Sequence, residues 1–173
     1  MPKSWIENSN TMKRISIING PNLNLLGKRE PEIYGNRTFE DYLEELRKRY
    51  PDVQFRYRQS NVEGTIVDYL QEEDGADGII LNAAAYTHTS IAIADAVKAI
   101  GSPVVEVHIS NIFARETERQ RSLLSSACKG CISGFGLESY ALATEALIPL
   151  NPANNPALHK TLTKPRHTRT PFW

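Results

Sequence analysis

Five short apolar segments alternate with stretches of helical period along residues 13–148, and that alternation restricts the chain to very few architectures. The first segment is Ile15-Ser16-Ile17-Ile18, ending at Asn19-Gly20-Pro21. Val53 to Arg58, Gly78 to Asn82, Pro103 to His108 and Cys131 to Gly134 are the others. Between them, apolar residues recur three and four apart. Phe39, Tyr42, Leu43 and Leu46 follow a Thr38 cap, in a helix expected to reach Tyr50. Ile66, Tyr69 and Leu70 mark a helix over 62–73, and Ile91, Ala94, Val97 and Ile100 follow a Ser90 cap. Residues 115–127 and 136–147 read as two more helices. Near-continuous apolar strands imply burial on both sheet faces. Strands joined through helices pair in parallel, with right-handed crossovers. The expected fold class is therefore α/β, a doubly wound sheet of five parallel strands in the order 2-1-3-4-5 with helices on both faces. Ligands of such sheets bind beyond the carboxyl ends of the strands, near the point where the order reverses.

A single domain is expected over residues 13–148. Residues 1–12 form a polar extension, and residues 149–173 form a tail with five of the ten prolines. Lys+Arg and Asp+Glu are both 20, so the charge offers no reason to expect nucleic acid or a membrane as partner. No stretch approaches the ~20 apolar residues of a membrane span. The first residues, MPKSWIENSNT, lack the apolar centre of a signal peptide. Cys128 and Cys131, expected to be reduced, fit a cytoplasmic protein. They form one C-x-x-C with no second pair and no nearby His, which reads as a structural turn around Lys129-Gly130 and not as a metal or redox site. The triplet Asn36-Arg37-Thr38 is a formal glycosylation signal without meaning unless the chain is secreted.

Three polar segments break the apolar pattern, and each follows a strand: residues 19–35 after the first, 82–90 after the third, 108–115 after the fourth. In the expected order these strands are neighbours, so the three loops converge at one sheet edge. The first is long for a strand-to-helix connection, typically ~2–6 residues, and long loops are often lids. Gly20, Gly27 and Gly35 let it bend, and Arg29 and Tyr34 can swing inward. The plain alternative is a solvated surface loop. A phosphate loop is excluded: six residues separate Gly20 from Gly27, not four, and Arg29 follows Lys28 where Ser or Thr is needed. No G-x-G-x-x-G follows the first strand, which argues against a nucleotide- or flavin-binding module.

Glu106 and His108 lie two apart in a strand and so share a face. A buried carboxylate needs a partner; bonded to the imidazole it would fix the tautomer and favour imidazolium, the makings of a general acid. The alternative is a structural ion pair. Arg115 and Arg119, four apart, would share a helical face near its start and suit an anion, with Ser110 and neighbouring N–H groups. Asn82 and His88 offer donors for substrate hydroxyls. A hydrolase built on Ser90, His88 and Asp95 would want a G-x-S-x-G elbow, which is missing.

GPNLNLLGKREPEIYG, QSNVEG, LNAAAYTHTSIAIADA and PVVEVHISNIFARE, in this order, closely resemble the type II 3-dehydroquinate dehydratases over roughly residues 12–148. The resemblance implies a flavodoxin-like fold and a hydro-lyase that works without cofactor or metal. It implies anti elimination of water from 3-dehydroquinate to 3-dehydroshikimate through an enolate or enol, in the shikimate route to aromatic amino acids. By motif, Tyr34 is similar to the base that removes the C2 proton. Arg29 and Arg115 resemble the arginines that activate it. Asn22 resembles the residue holding a water against the enolate oxygen. His108 resembles the acid that protonates the departing hydroxyl, oriented by Glu106. Asn82, His88 and Arg119 resemble hydroxyl contacts, and Ile109 and Ser110 backbone contacts to the carboxylate. Asp95 resembles a residue reaching into a neighbouring subunit, in a family that commonly forms dodecamers as tetramers of trimers. The departures from the family pattern precede Met12 and lie in the basic, Pro-rich tail. An inactive homologue acting through its tails is the third reading, against which Tyr34, Arg29 and His108 speak.

Overall fold

The computed structural model describes residues 12–27 and 37–148. The expected extension and tail, and Arg29 and Tyr34 of the first loop, lie outside the described residues. Strands β1 (Lys13–Asn19), β2 (Val53–Gln59), β3 (Gly78–Asn82), β4 (Val104–His108) and β5 (Gly130–Ser133) form one sheet in the order β2-β1-β3-β4-β5. Every pairing is parallel. Helices α1 (Phe39–Arg49), α2 (Glu63–Glu72), α3 (Ile91–Ala99) and α4 (Glu138–Leu147) complete a flavodoxin-like α/β fold. The order reverses between β1 and β3, and the loops after β1, β3 and β4 leave the same edge of the sheet.

Strand alternation sorts the core into two layers. Ile15, Ile17, Ile80, Val105 and Val107 point to one face, where Phe39, Leu43 and Leu46 of α1 and Tyr140 of α4 cover them. Ile18, Ile79, Leu81 and Val104 point to the other, against Ile66 and Leu70 of α2 and Ile93 and Val97 of α3. Each helix starts where its sequence says it should. Thr38 accepts a hydrogen bond from the Asp41 N–H at 3.1 Å while its own N–H donates to the Asp41 carboxylate, a reciprocal cap. Ser90 accepts from the Ile93 N–H at 2.9 Å. One expected inward residue faces out: Ile91, the first residue of α3, is 68% exposed, and Ile93 takes its place in the core.

The helix expected over 115–127 does not form. Short 3₁₀ turns at Ile112–Ala114 and Thr117–Arg119 are followed by irregular chain. The backbone there is committed elsewhere. The Arg121 carbonyl accepts from His88 Nδ1 at 2.7 Å, and the Leu123 N–H donates to the Thr87 carbonyl at 2.9 Å. Ser122 Oγ accepts from the N–H groups of Leu124 and Ser125, both at 3.0 Å, and such local side-chain bonds compete with a helical ladder. Arg115 and Arg119 are therefore neighbours through a turn, not along a helical face.

Gly20 holds the first two loops together. Its N–H donates to the Asn82 carbonyl at 2.7 Å, and a Cβ at this position would lie 2.6 Å from the Ala83 carbonyl oxygen. That obstacle is backbone and cannot rotate away. Gly20→Ala is expected to destabilise the fold by about 1–3 kcal/mol, as overpacking does. A urea titration with a lower midpoint and unchanged slope checks it; an unchanged midpoint refutes the close approach.

Candidate active site

A cavity of about 300 Å³ opens at the switch point of the sheet, walled by the three converging loops. Asn22, Asn82, His88, His108, Ile109, Ser110, Arg115 and Arg119 all line it. Asp95 does not: it is exposed on α3, 3.4 Å from Lys98 Nζ. Arg29 and Tyr34 lie outside the described residues.

Glu106 and His108 meet as the two-residue strand repeat requires. His108 Nε2 is 2.7 Å from Glu106 Oε1, and both side chains are buried. A carboxylate only accepts, so Nε2 carries the hydrogen and the tautomer is set. Burial pushes the Glu106 carboxyl upward, but hydrogen bonds from His108, Ser125 and Ser122 outweigh it and hold the group below its ordinary value. Ser122 Oγ donates to Oε1 at 2.8 Å, and Ser125 Oγ donates to Oε2. A fully satisfied buried carboxylate is thus ready to balance the charge of an imidazole that holds two protons. The serines escaped sequence reasoning because an expected helix would have pointed them to solvent.

His88 stacks beside His108, ring centroids 6.4 Å apart. Its Nδ1 donates to the Arg121 carbonyl, which leaves Nε2 as an acceptor when the ring is neutral. Asn82 is buried at the end of β3. Its amide NH₂ donates to Tyr140 Oη at 2.9 Å, and its carbonyl accepts from the Ala84 N–H at 3.2 Å. One amide hydrogen therefore remains for a ligand. The Ala84 bond holds that residue at φ 51, strain of the kind that persists where surroundings over-determine it. Tyr140 Oη in turn donates to Asn19 Oδ1 at 2.8 Å, so a buried phenol ties the ends of β1 and β3 together beneath the cavity. Burial pushes the Tyr140 hydroxyl far above the ordinary phenol range and keeps it a neutral donor.

The two arginines flank one carboxylate. Arg119 Nε is 2.5 Å and Arg115 Nε 3.6 Å from Glu116 oxygens. A hydrogen bond from its own backbone N–H, then the Arg119 and Arg115 guanidinium groups, hold Glu116 below the usual carboxylate range. One carboxylate between two guanidinium groups leaves a net positive wall. The carbonyls of Ile109 and Ser110 accept from the Gly136 N–H at 2.9 Å and the Ser133 hydroxyl at 3.1 Å, which fixes the turn behind that wall. Asn22 adopts a left-handed backbone, φ 66, which Asn tolerates, and its N–H donates to Asn61 Oδ1 at 3.0 Å. Among the described residues, no helix is long and apolar enough to cross a membrane.

The arrangement combines a paired acid, two cations and amide donors around a small polar cavity. It suits an oxygen-rich anion. A family model described as dehydroquinase class II matches residues 13–148. A 3-dehydroquinate dehydratase of Exiguobacterium sp. is 57% identical over 136 residues, 78% of this chain and 94% of that protein. One from Rhizobium johnstonii is 53% identical over 136 residues, 77% of this chain and 94% of that protein. The crystal structure of a type II dehydroquinase from Butyrivibrio crossotus superposes with a TM-score of 0.73 at 43% identity, covering 78% of this chain and 97% of that one.

Proposed function

The chain belongs to the class II dehydroquinase family and is a dehydratase of that type, and we propose that it removes water from 3-dehydroquinate by anti elimination through an enolate, forming 3-dehydroshikimate. The observation that carries this reading is the buried Glu106–His108 pair opening on a cavity with a cationic wall. In the proposed cycle Tyr34, as phenolate, takes the C2 proton. Arg29 and Arg115 stabilise that phenolate. The electron pair moves onto the carbonyl oxygen, where a water held by Asn22 meets the developing charge. His108 then gives its proton to the C1 hydroxyl, which leaves as water, and Glu106 balances the ring's charge before that transfer. His88, Asn82 and Arg119 hold hydroxyls, and the backbone of Ile109 and Ser110 with the nearby arginines holds the carboxylate. No cofactor enters any step of this proposal.

The described tyrosines support giving the base role to Tyr34. Burial pushes Tyr42 and Tyr57 up to about 12, and Tyr50 and Tyr140 also upward, the wrong direction for a base. Asp95, exposed on α3, belongs in this reading to a neighbouring subunit's site, within a homododecamer of four trimers. A cytoplasmic shikimate-pathway role completes the proposal.

Purified protein given 3-dehydroquinate is expected to generate the ultraviolet absorbance of a conjugated enone. No turnover by folded protein between about pH 6 and 9, the span around the relevant titrations, refutes the proposal. Borohydride added with substrate is expected to leave activity intact, because no lysine forms a Schiff base; covalent trapping on a lysine refutes the enolate route.

A further inference from the structure

The sequence pairs Cys131 with Cys128, but the fold places it elsewhere. In the β4–β5 register Cys131 sits opposite Glu106. Paired residues of neighbouring strands share a face, and Glu106 shares that face with His108. As a result the Cys131 sulfur, a Glu106 oxygen and a His108 ring nitrogen all lie within 4.8 Å of one another. The set is one thiol, one carboxylate and one imidazole, on rigid strands. A tetrahedral zinc-type ion needs these atoms about 3.3–3.6 Å apart, from bond lengths of ~2.0–2.3 Å. Side-chain rotation covers the difference.

The electrostatics point the same way. A thiolate beside the Glu106 carboxylate is repelled, which helps keep the sulfur protonated. A divalent cation turns that repulsion into attraction and displaces the thiol proton to solvent. Nitrogen and sulfur donors select a thiophilic ion over magnesium or calcium. The site also has its own entrance. His108 lines the substrate cavity, whereas Cys131, Ser122 and Ser125 line a separate groove at the β5 edge.

We propose that Glu106, His108 and Cys131 form an inhibitory site for a thiophilic divalent cation, entered from the β5 groove, which silences the enzyme by taking the imidazole away from its proton-transfer role. The inhibitory half rests on the proposed dehydratase reading; the binding half does not.

The test uses chelator-treated full-length protein and Cd²⁺, whose thiolate complex absorbs in the ultraviolet. One Cd²⁺ per chain should bind with that absorption, and Zn²⁺ should displace it. With dehydroquinate, kcat should fall in step with occupancy while KM stays nearly constant, since the ion arrives from the far side of His108. Cys131→Ser should keep basal turnover and bind Cd²⁺ at least about 100-fold more weakly, since even a supporting residue can account for that much. Cys128→Ser should bind as the wild type does. Unchanged Cd²⁺ affinity in Cys131→Ser, or its loss in Cys128→Ser, overturns the ligand set. Full occupancy with unchanged kcat, or a rise in KM alone, overturns the inhibition. Absence of turnover in metal-free wild type strikes the dehydratase reading instead, and leaves the absorbance result to decide the site.

Discussion

Turnover of Glu106→Gln is expected to fall about 100-fold, and that of His108→Ala about 10,000-fold, the two ends of what a positioned proton donor contributes. Glutamine preserves the shape of Glu106 and an oxygen for the His108 Nε2–H, which now sits at 2.7 Å. It removes the charge. An imidazole with two protons then stands uncompensated in a buried strand, a situation proteins tolerate poorly. The loss should appear in kcat more than in KM, because the charge matters when the proton is delivered. A stability measurement separates this role from mere packing. Folded Glu106 titrates below its ordinary value of 4.5, so the unfolded chain binds the proton first. The group therefore stabilises the fold above that value, and the contribution is lost as pH falls through the lower, folded one. Urea midpoints should decline across that acidic window in the wild type and decline less in Glu106→Gln. A glutamine variant with wild-type turnover across the pH profile removes Glu106 and His108 from the acid role.

The sheet was legible because its signal is local. Each strand is a short apolar run, each gap is long enough only for a crossover, and right-handed parallel pairing follows from those two facts. Boundaries moved by one or two residues, as at α1 and β4. The helix over 115–127 was illegible for a physical reason. Its spacing of charged and apolar residues is compatible with helical period, but His88 and Thr87, some 34 positions away, bind its backbone at Arg121 and Leu123. A tertiary hydrogen bond leaves no mark on periodicity.

The site divides along the same line. Glu106 beside His108 follows from a two-residue repeat and was readable. So was the meeting of the three loops, once the strand order was assumed. Ser122, Ser125, Glu116, Tyr140 and Cys131 were not. Each acts through a partner remote in sequence or through a strand register that the chain does not advertise. Cys131 shows the difference well. Its nearest sequence cue is Cys128, whereas β4–β5 pairing puts it against Glu106. Asn82 was readable as a hydroxyl contact only in part, since Tyr140 and Ala84 already occupy much of its amide.

Tyr34→Phe should reduce turnover by about 10,000-fold or more while a substrate analogue still binds. The argument begins with the ordinary phenol. With a pKa of ~10, only about 0.1% is ionised at pH 7. A preference of about 2.7 kcal/mol for the phenolate raises that fraction about 100-fold, and two guanidinium groups within ~4–6 Å can supply it. Arg115 already lines the cavity, tethered 3.6 Å from Glu116, and Arg29 lies five residues before Tyr34 in the same loop. Phenylalanine keeps the ring and its packing but has no oxygen to accept the C2 proton. Removing a group that acts only in the transition state lowers kcat and leaves binding alone. The analogue's dissociation constant should move by less than about fivefold, under ~1 kcal/mol. Isothermal titration of the variant with the analogue, beside its kcat, reads both quantities. Loss of binding in parallel with turnover would make Tyr34 a contact residue and not the base, and near-normal turnover would send the search for the base to another group in the cavity.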